Sequence, residues 1–188
     1  MLQIQPFVFN AYSENCFVLS DETKSCVIID PGCYTREEKE ILAIYIEQNE
    51  LQVEKLLNTH GHIDHMLGNY FVVDRYKVPF VTLDPSPDPD ELVNEGAVIS
   101  FGNTKLEVFF TPGHSAGHIS FFHRGSSNLF SGDVLFRGSI GRTDLPGGSY
   151  PVLMQSIFEK LLSLDDEVRV FCGHGPSTTI GEERMHNP

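Results

Sequence analysis

Apolar residues in the first third of the chain occur in short runs, several of which alternate with polar residues. Such runs are typical of β-strands and predict strands at 2–9, 15–19, 26–29 and 53–58. Thr35 and Glu38 stand at capping-box spacing and predict the start of a helix between the third and fourth strands. Apolar residues then recur at helical spacing up to Ile46, as expected for a face that packs on a core. The same reasoning predicts a second helix over 66–76.

The rest of the chain repeats this order of elements. Ser149 and Pro151 begin a predicted helix whose apolar positions, from Leu153 to Leu162, keep helical spacing, and 181–186 can form a short tail helix. Residues 84–90 contain three prolines and three aspartates, which predicts a stiff surface connector. Strands, then a helix, then a strand, occurring twice, indicate two similar halves packed together. The strands of the second half are predicted at 98–101, 106–111, 119–123, 128–131 and 168–172.

Composition favours one globular unit. With 188 residues, of which 40% are apolar, the chain can bury one substantial core, so we expect a single domain over 1–188. Its four cysteines lack Cys-x-x-Cys spacing, which favours free thiols in a reducing cytoplasm over disulfides or a sulfur-ligated zinc. The N-terminus lacks the basic and apolar regions of a signal peptide, and no apolar run is long enough to cross a bilayer. We therefore expect a cytoplasmic protein without membrane association.

The formal charge of −13 narrows the range of partners. Binding to phosphate backbones depends on clustered lysine and arginine, so an acidic surface disfavours nucleic acid as a partner. A small-molecule substrate is compatible with this charge.

Residues 59–65, with the sequence Thr-His-Gly-His-Ile-Asp-His, directly follow an apolar run and are the strongest chemical signal in the chain. A buried cluster of this kind needs a compensating charge, and a divalent cation bound by neutral imidazoles is the usual one. In extended chain, His60 and His62 point to the same side. Asp64 and His65 are adjacent, so they should aim differently and not easily join the same cation. Two ligands for one metal and two for a neighbour is the natural interpretation; the alternative is a solvated loop.

Three further candidates stand beside glycine at the ends of strand-like apolar runs: His114, Asp133 and His174. Functional groups placed where strands give way to glycine-rich loops are typical of sites held by a rigid sheet. Together with residues 59–65 they predict a metal centre.

The motif His-x-His-x-Asp-His, followed by a histidine, an aspartate and a final histidine, resembles that of the metallo-β-lactamase superfamily. Within it, the chain is similar to the glyoxalase II-like (hydroxyacylglutathione hydrolase-like) thioester hydrolases. The resemblance extends from Asp30-Pro31-Gly32 to Gly173-His174-Gly175-Pro176. It implies an α/β fold of the αββα sandwich type, in which two mixed sheets are flanked by helices and the metals lie at one sheet edge.

The resemblance also implies a role for each candidate. It assigns His60, His62 and His114 to one divalent ion and Asp64, His65 and His174 to a second, with Asp133 bridging both. Zinc is expected, and a carboxylate bridge also tolerates iron or manganese. A hydroxide bridging the two ions would attack the substrate carbonyl, and Asp64 would orient it as the catalytic carboxylate.

Three other residues are expected around this centre. By resemblance, Asp30 accepts a hydrogen bond from a ligand histidine; the alternative is an ordinary turn aspartate before Pro-Gly. The loop from Phe136 to Asp144 is expected to bind substrate. Arg142 stands where glyoxalase II enzymes have a basic residue that contacts a glutathione carboxylate, and its alternative role is an ion pair with Asp144. His118 and two other histidines, 123 and 186, match no ligand position, so core or surface roles are expected for them.

Two features depart from the glyoxalase II pattern. Asp144 replaces the tyrosine of many such enzymes, and the sequence to Pro188 lacks their added C-terminal helical domain, so glutathione specificity is an open question. Three hypotheses follow: a dinuclear hydrolase of small thioesters such as S-lactoylglutathione, a mononuclear iron persulfide dioxygenase, which the chain also resembles at 141–144, and a non-catalytic metal-binding protein.

Overall fold

Two six-stranded mixed sheets form the frame of the protein, in a computed structural model that describes residues 1–83 and 89–188. The first sheet has the order β1-β2-β3-β4-β5-β6, with β1 to β3 antiparallel and β3 to β6 parallel. Its strands are β1 (Gln3–Phe9), β2 (Glu14–Ser20), β3 (Ser25–Ile29), β4 (Gln52–Leu57), β5 (Phe80–Thr82) and β6 (Glu91–Leu92).

The second sheet has the order β14-β13-β10-β9-β8-β7, in which only β10 and β13 pair in parallel. A separate hairpin of β11 (Leu135–Phe136) and β12 (Ser139–Ile140) follows β10. The sheet strands are β7 (Val98–Phe101), β8 (Thr104–Phe110), β9 (Ile119–His123), β10 (Asn128–Gly132), β13 (Arg169–Cys172) and β14 (Thr178–Thr179).

Helices cover the outer face of each sheet. Helix α1 (Arg36–Gln48) and helix α3 (Asn69–Tyr76) pack on the first sheet through a cluster that includes Leu42, Ile46 and Val72. Helix α4 (Tyr150–Gln155), which continues as a π-helical segment (Ser156–Leu161), and helix α5 (Ile180–His186) pack on the second sheet. A third cluster fills the space between the sheets, where Phe17 contacts Phe130 and Phe171 edge to face. The layers are therefore helix, sheet, sheet and helix.

The predicted strands all occur, with ends that differ by at most two residues. The capping box is also present: Thr35 Oγ1 accepts the amide of Glu38, and the Glu38 carboxylate accepts the amide of Thr35. All four cysteines are free, as expected, and the structure shows that all four are also buried. The predicted connector at 84–90 lies mostly outside the described residues.

The helix predicted over 66–76 is present only from Asn69 onward. The structure has a short helix α2 (Ile63–Met66) and then α3, with Gly68 between them. The amide of Gly68 donates to the carbonyl of Pro31 at 2.7 Å, and a Cβ at this position would lie 2.4 Å from Cys33 Sγ. Close packing against the loop after β3 thus interrupts a pattern that, taken locally, continues as helix.

Candidate metal centre

All the predicted ligand residues follow the carboxyl ends of strands. His60 and His62 come after β4, His114 after β8, Asp133 after β10 and His174 after β13, while α2 carries Asp64 and His65. The loops at these strand ends meet at one edge of the sandwich, so residues that are up to 114 positions apart along the chain come into contact.

Three imidazoles form the first group. The ring of His62 lies 4.6 Å from the rings of both His60 and His114, and Nδ1 of His62 is 2.9 Å from Nε2 of His114. One nitrogen of each ring lies within 4.8 Å of the others, a spacing at which all three can bind one ion.

Asp64, His65 and His174 form the second group. Oδ2 of Asp64 is 3.2 Å from Nε2 of His174 and 3.8 Å from Nε2 of His65. This arrangement agrees with the expectation that residues 60–65 give two ligands to one ion and two to a neighbour, since His60 and His62 lie in the first group. Asp64 and His65 lie in the second group and are carried by α2 rather than by extended chain.

Asp133 lies between the two groups. Its Oδ1 is 3.4 Å from Nε2 of His65, and its Oδ2 is 3.6 Å from Nε2 of His114 and 3.5 Å from Nε2 of His174. Gly173 permits this position, because a Cβ there would lie 2.2 Å from Oδ1 of Asp133. One carboxylate thus contacts members of both groups.

Hydrogen bonds at Nδ1 orient four of the imidazoles. Nδ1 of His65 lies 3.1 Å from Oδ2 of Asp30, Nδ1 of His114 lies 2.8 Å from the carbonyl of Arg142, and Nδ1 of His174 lies 3.1 Å from the carbonyl of Tyr12. Carbonyl and carboxylate oxygens only accept, so each Nδ1 carries the proton.

The fourth imidazole, that of His60, is oriented through a hydroxyl. Thr59 Oγ1 donates to Oδ2 of Asp30 at 2.7 Å and is left to accept from Nδ1 of His60 at 2.9 Å. In the neutral form of each of these four rings, Nε2 has the free lone pair with which it can bind a cation.

Asp30 supports this arrangement from a strained backbone. Its φ of +48° lies in the left-handed region, which is unusual for a residue other than glycine. Its carboxylate accepts from the Asn58 side chain, the Thr59 amide, the Thr59 hydroxyl and His65, and so compensates for the conformation. The structure therefore places Asp30 beside a predicted ligand histidine, as the resemblance implied.

Burial and mutual charge shift the pKa values of the cluster. Burial, reinforced by the neighbouring imidazoles, holds the pKa of His60 well below its usual range. Burial alone would raise the pKa of Asp133, but the imidazoles of His65, His174 and His114 outweigh it and lower that pKa strongly. Asp133 is thus ionised and His60 neutral, the states in which these groups bind metal ions.

The cluster has the donor set of a divalent metal site. Nε2 of His60, Nε2 of His65 and Oδ1 of Asp133 are buried and have no hydrogen-bond partner in the described part of the chain. Buried polar atoms of this kind are normally paired, and imidazole and carboxylate are the ligands that zinc and iron accept. The residues present fit two divalent ions.

Glu14 forms a further group with Asp30 and His65, but we do not assign an ion there. The oxygens of Asp30 already accept four hydrogen bonds. Burial raises the pKa of Glu14 well above its usual range, which favours a neutral acid.

A cavity of about 560 Å³ opens above the two groups. Phe136 and Arg142, the two residues expected to bind substrate, line it. Arg142 pairs with Asp144 through two contacts of 2.7 and 2.6 Å, so the structure shows the alternative role of this arginine. Apart from the two groups and Asp133, the remaining lining residues are Tyr12, Ile63, Ser139, Ile140 and Leu145.

His118 is the main residue of this region that the sequence did not connect with the centre. It is fully buried, as expected for a core position, but its ring stacks on that of His60 with centroids 5.0 Å apart. Its Nε2 accepts the backbone amide of Asp133 at 3.1 Å. Its spacing of four residues from His114 is the only sequence signal that links it to the site.

Comparisons with known proteins define the class to which this protein belongs. A family model described as the metallo-beta-lactamase superfamily matches residues 10–85 and 80–174. The chain belongs to this superfamily. It is 38% identical to the hydroxyacylglutathione hydrolase GloC of Haemophilus influenzae, in an alignment that covers 100% of this chain and 97% of that relative.

Solved structures agree with this classification. The crystal structure of BLEG-1 B3 metallo-beta-lactamase has a TM-score of 0.91 and 34% identity, and the match covers 99% of this chain and 98% of that one. The crystal structure of ETHE1 from Myxococcus xanthus has a TM-score of 0.90 and 28% identity, with 99% of this chain and 83% of that one covered. The predicted αββα fold is confirmed, and the chain is an enzyme of the metallo-hydrolase class.

The described helices also bear on membrane association. None of those within 1–83 and 89–188 has the length and apolar character that crossing a bilayer requires.

Proposed function

We propose that the protein is a dinuclear metal-dependent hydrolase of small thioesters. The position of Asp133, within 3.6 Å of histidines from both groups, carries the proposal, because one carboxylate so placed can bridge two ions. His60, His62 and His114 hold the first ion, and Asp64, His65 and His174 the second. The His-rich donor set favours zinc, and the carboxylate bridge also suits iron or manganese.

The bound ions supply Lewis acidity, which lowers the pKa of water and polarises a carbonyl. The chain supplies orientation. Asp64 is half-buried and lines the cavity, where a carboxylate oxygen can accept a hydrogen bond from the attacking water and fix its direction. Asp133, which contacts histidines of both groups, keeps the two groups at a fixed separation.

The cavity favours a leaving group that departs without protonation. His62, His114 and His174 are its only imidazoles among the described lining residues, and all three belong to the proposed ligand set. The other proton donors there, the hydroxyls of Tyr12 and Ser139 and the guanidinium of Arg142, are weak acids near neutral pH. A thiol ionises near pH 8.5, so it leaves readily as a thiolate.

The cavity walls suit a small acyl thioester. Phe136, Ile63 and Leu145 offer apolar surface, and Arg142 can bind a carboxylate of the thiol part. The side chains of Arg142 and Asp144 are exposed by 60% and 66%, so exchanging Asp144 for a substrate carboxylate costs little. The similarity to a hydroxyacylglutathione hydrolase supports a glutathione thioester of the S-lactoylglutathione type.

The proposal also covers the domain organisation of the enzyme, its cellular compartment and the class of its substrate. We take 1–188 as one catalytic domain, because both sheets contribute loops to the centre and share the core between them. Buried free thiols suit a reducing cytoplasm, and the acidic chain suits a small-molecule substrate rather than nucleic acid.

A thioester assay on purified, fully metal-loaded protein tests this function. We expect hydrolysis of S-lactoylglutathione or a short-chain acyl thioester with two metal ions bound per chain. Two bound ions without turnover of any thioester would refute it. The same ions without turnover of any ester, thioester or lactone would instead indicate a metal-binding protein that is not an enzyme of this kind.

A mononuclear iron persulfide dioxygenase is the second candidate. The sequence Gly-Arg-Thr-Asp at 141–144 and the likeness to ETHE1 favour it. It requires one iron per chain and oxygen uptake with sulfite formation. Elemental analysis separates the two candidates in one measurement, because the hydrolase binds two ions per chain.

A further inference from the structure

The backbone amide of Asp133 has an unusual hydrogen-bond partner. It donates to Nε2 of His118 at 3.1 Å rather than to a strand neighbour, because β10 has ended at Gly132. Both groups are buried, so without His118 this amide would lack an acceptor at a point that water does not reach. The bond therefore ties the start of the bridging residue to a side chain fifteen positions earlier in the sequence.

The hydrogen bond determines which nitrogen of His118 carries the proton. A backbone amide can only donate, so Nε2 must keep its lone pair and the proton must sit on Nδ1. Nδ1 lies 3.0 Å from Oγ1 of Thr111, which accepts it. Oγ1 of Thr111 also lies 2.9 Å from Oγ of Ser120, and since Ser120 donates to the carbonyl of Ser131 at 3.5 Å, the Thr111 hydroxyl is the donor to Ser120. A buried series of bonds, which begins on β9 and ends at Asp133, thus fixes the ring in one tautomer.

Packing fixes the ring in one place. Its plane is tilted by 28° from that of His60, and the two ring centroids are 5.0 Å apart. His118 therefore packs against a member of the first group and also contacts Asp133. Gly132, whose φ is +50°, makes the approach possible: a Cβ there would lie 2.6 Å from Nε2 of His118. This close fit shows that the neighbouring backbone leaves room for the imidazole and for little else.

We propose that His118 is a positioning residue that holds Asp133 between the two ligand groups through the Asp133 amide, in the Nδ1-protonated tautomer that Thr111 fixes. The inference rests on the proposed metal centre. Since Asp133 contacts both groups, loss of this support weakens binding at both metal positions together. Outer partners that orient ligands typically change metal affinity by 10- to 100-fold.

Two variants of His118 distinguish the effect of its hydrogen bond from the effect of the volume of its ring. His118→Gln places an amide oxygen the same number of bonds from Cα as Nε2, so it can still accept the Asp133 amide. His118→Leu fills similar space without an acceptor. We expect zinc affinity, measured by competition with a chromophoric chelator, to fall about tenfold or more at both positions in His118→Leu and much less in His118→Gln. Equal affinities in His118→Leu and the parent protein would overturn the proposal.

Thr111→Val tests the tautomer, with Thr104→Val as its matched control. Thr104 is also buried and its hydroxyl also donates to a side chain, that of Asp21, far from the centre. We expect Thr111→Val to weaken zinc binding and Thr104→Val to leave it unchanged, with similar losses of thermal stability in both. Equal zinc affinity in the two variants would contradict the role of Thr111.

A measurement on the parent protein tests the inference directly and does not require that a variant folds. In the ¹⁵N-labelled parent protein, long-range ¹H–¹⁵N spectra report which nitrogen of His118 is protonated. A proton on Nδ1 is expected with and without zinc, and a proton on Nε2 would overturn the inference. If the parent protein binds no metal while this tautomer is present, the proposed function fails and the geometry of His118 stands.

Discussion

Nδ1 of His65 donates to Oδ2 of Asp30 across 3.1 Å, and both side chains are almost completely buried. The same oxygen accepts the hydroxyl of Thr59, which in turn accepts from His60. One carboxylate therefore sets the tautomer of one histidine in each of the two ligand groups. It does so from outside both groups.

Replacing Asp30 by asparagine should weaken metal binding at both positions. Asparagine tolerates the left-handed backbone at this residue, but its NH₂ group would face the donors that the carboxylate accepts. We expect zinc affinity to fall about 10- to 100-fold, measured by chelator competition and elemental analysis.

Asp21→Asn is the control for this change. Asp21 is also buried and accepts four hydrogen bonds, from the amides of Thr23 and Asn103 and the hydroxyls of Thr23 and Thr104, but it lies away from the centre. The control should lose stability and keep its zinc. Parent-like zinc affinity in Asp30→Asn would show that Asp30 is an ordinary turn residue.

Asp133→Asn should lower the occupancy of both metal positions and abolish hydrolysis while the fold persists. The amide group keeps the shape of the carboxylate but loses the charge that two ions share. Metal content per chain and the circular dichroism spectrum are the measurements. Full activity in this variant would disprove the bridging role, and loss of only one ion would reduce Asp133 to a ligand of a single position.

Substitutions at Arg142 and Asp144 should change the KM for a thioester by an amount that depends on the charge of its thiol part. Arg142→Ala should raise the KM for a glutathione thioester and leave the KM for an uncharged thioester unchanged, because only the former offers carboxylates to the guanidinium. Asp144→Asn releases Arg142 from its ion pair and should lower the KM for the glutathione thioester. Equal KM changes for both substrates in Arg142→Ala would show that the arginine only orders its loop.

Glu38→Gln should destabilise the protein in a pH-dependent way. Burial raises the pKa of Glu38, but the amides of Thr35, Asn10 and Tyr34 outweigh it, and the net pKa is lowered. A lowered pKa in the folded state contributes stability above the unfolded value of about 4.3, and this stability is lost as the pH falls through the folded value.

The free energy of unfolding of Glu38→Gln should therefore be about 1 kcal/mol lower than that of the parent protein at pH 7, and the difference should diminish below about pH 4. Urea unfolding at a series of pH values measures it. Glu37→Gln, in the same helical turn but exposed, is the control and should change stability little at any pH. A loss in Glu38→Gln that is the same at pH 7 and pH 3 would contradict the assigned role of the carboxylate.

Local sequence patterns predicted those elements whose side chains alternate or recur over several residues. The capping box at Thr35 and Glu38 and strands such as β7 and β9 occur where the pattern places them. Strands of two residues, such as β6 and β14, have no periodicity to detect. The π-helical segment at 156–161 interrupts a pattern that reads as regular helix, because local spacing does not report the packing around it.

By itself the sequence determined the kind of chemistry, because histidine and aspartate at the spacing of residues 60–65 suit few purposes other than binding cations. Its hydrophobic periods also determined two similar successions of strands and helices, whereas the resemblance to the superfamily implied the αββα layers. Only the tertiary structure decided that Arg142 pairs with Asp144 and that His118 accepts the amide of Asp133. These relations depend on contacts between distant loops and strand ends, which the packing of the whole chain sets.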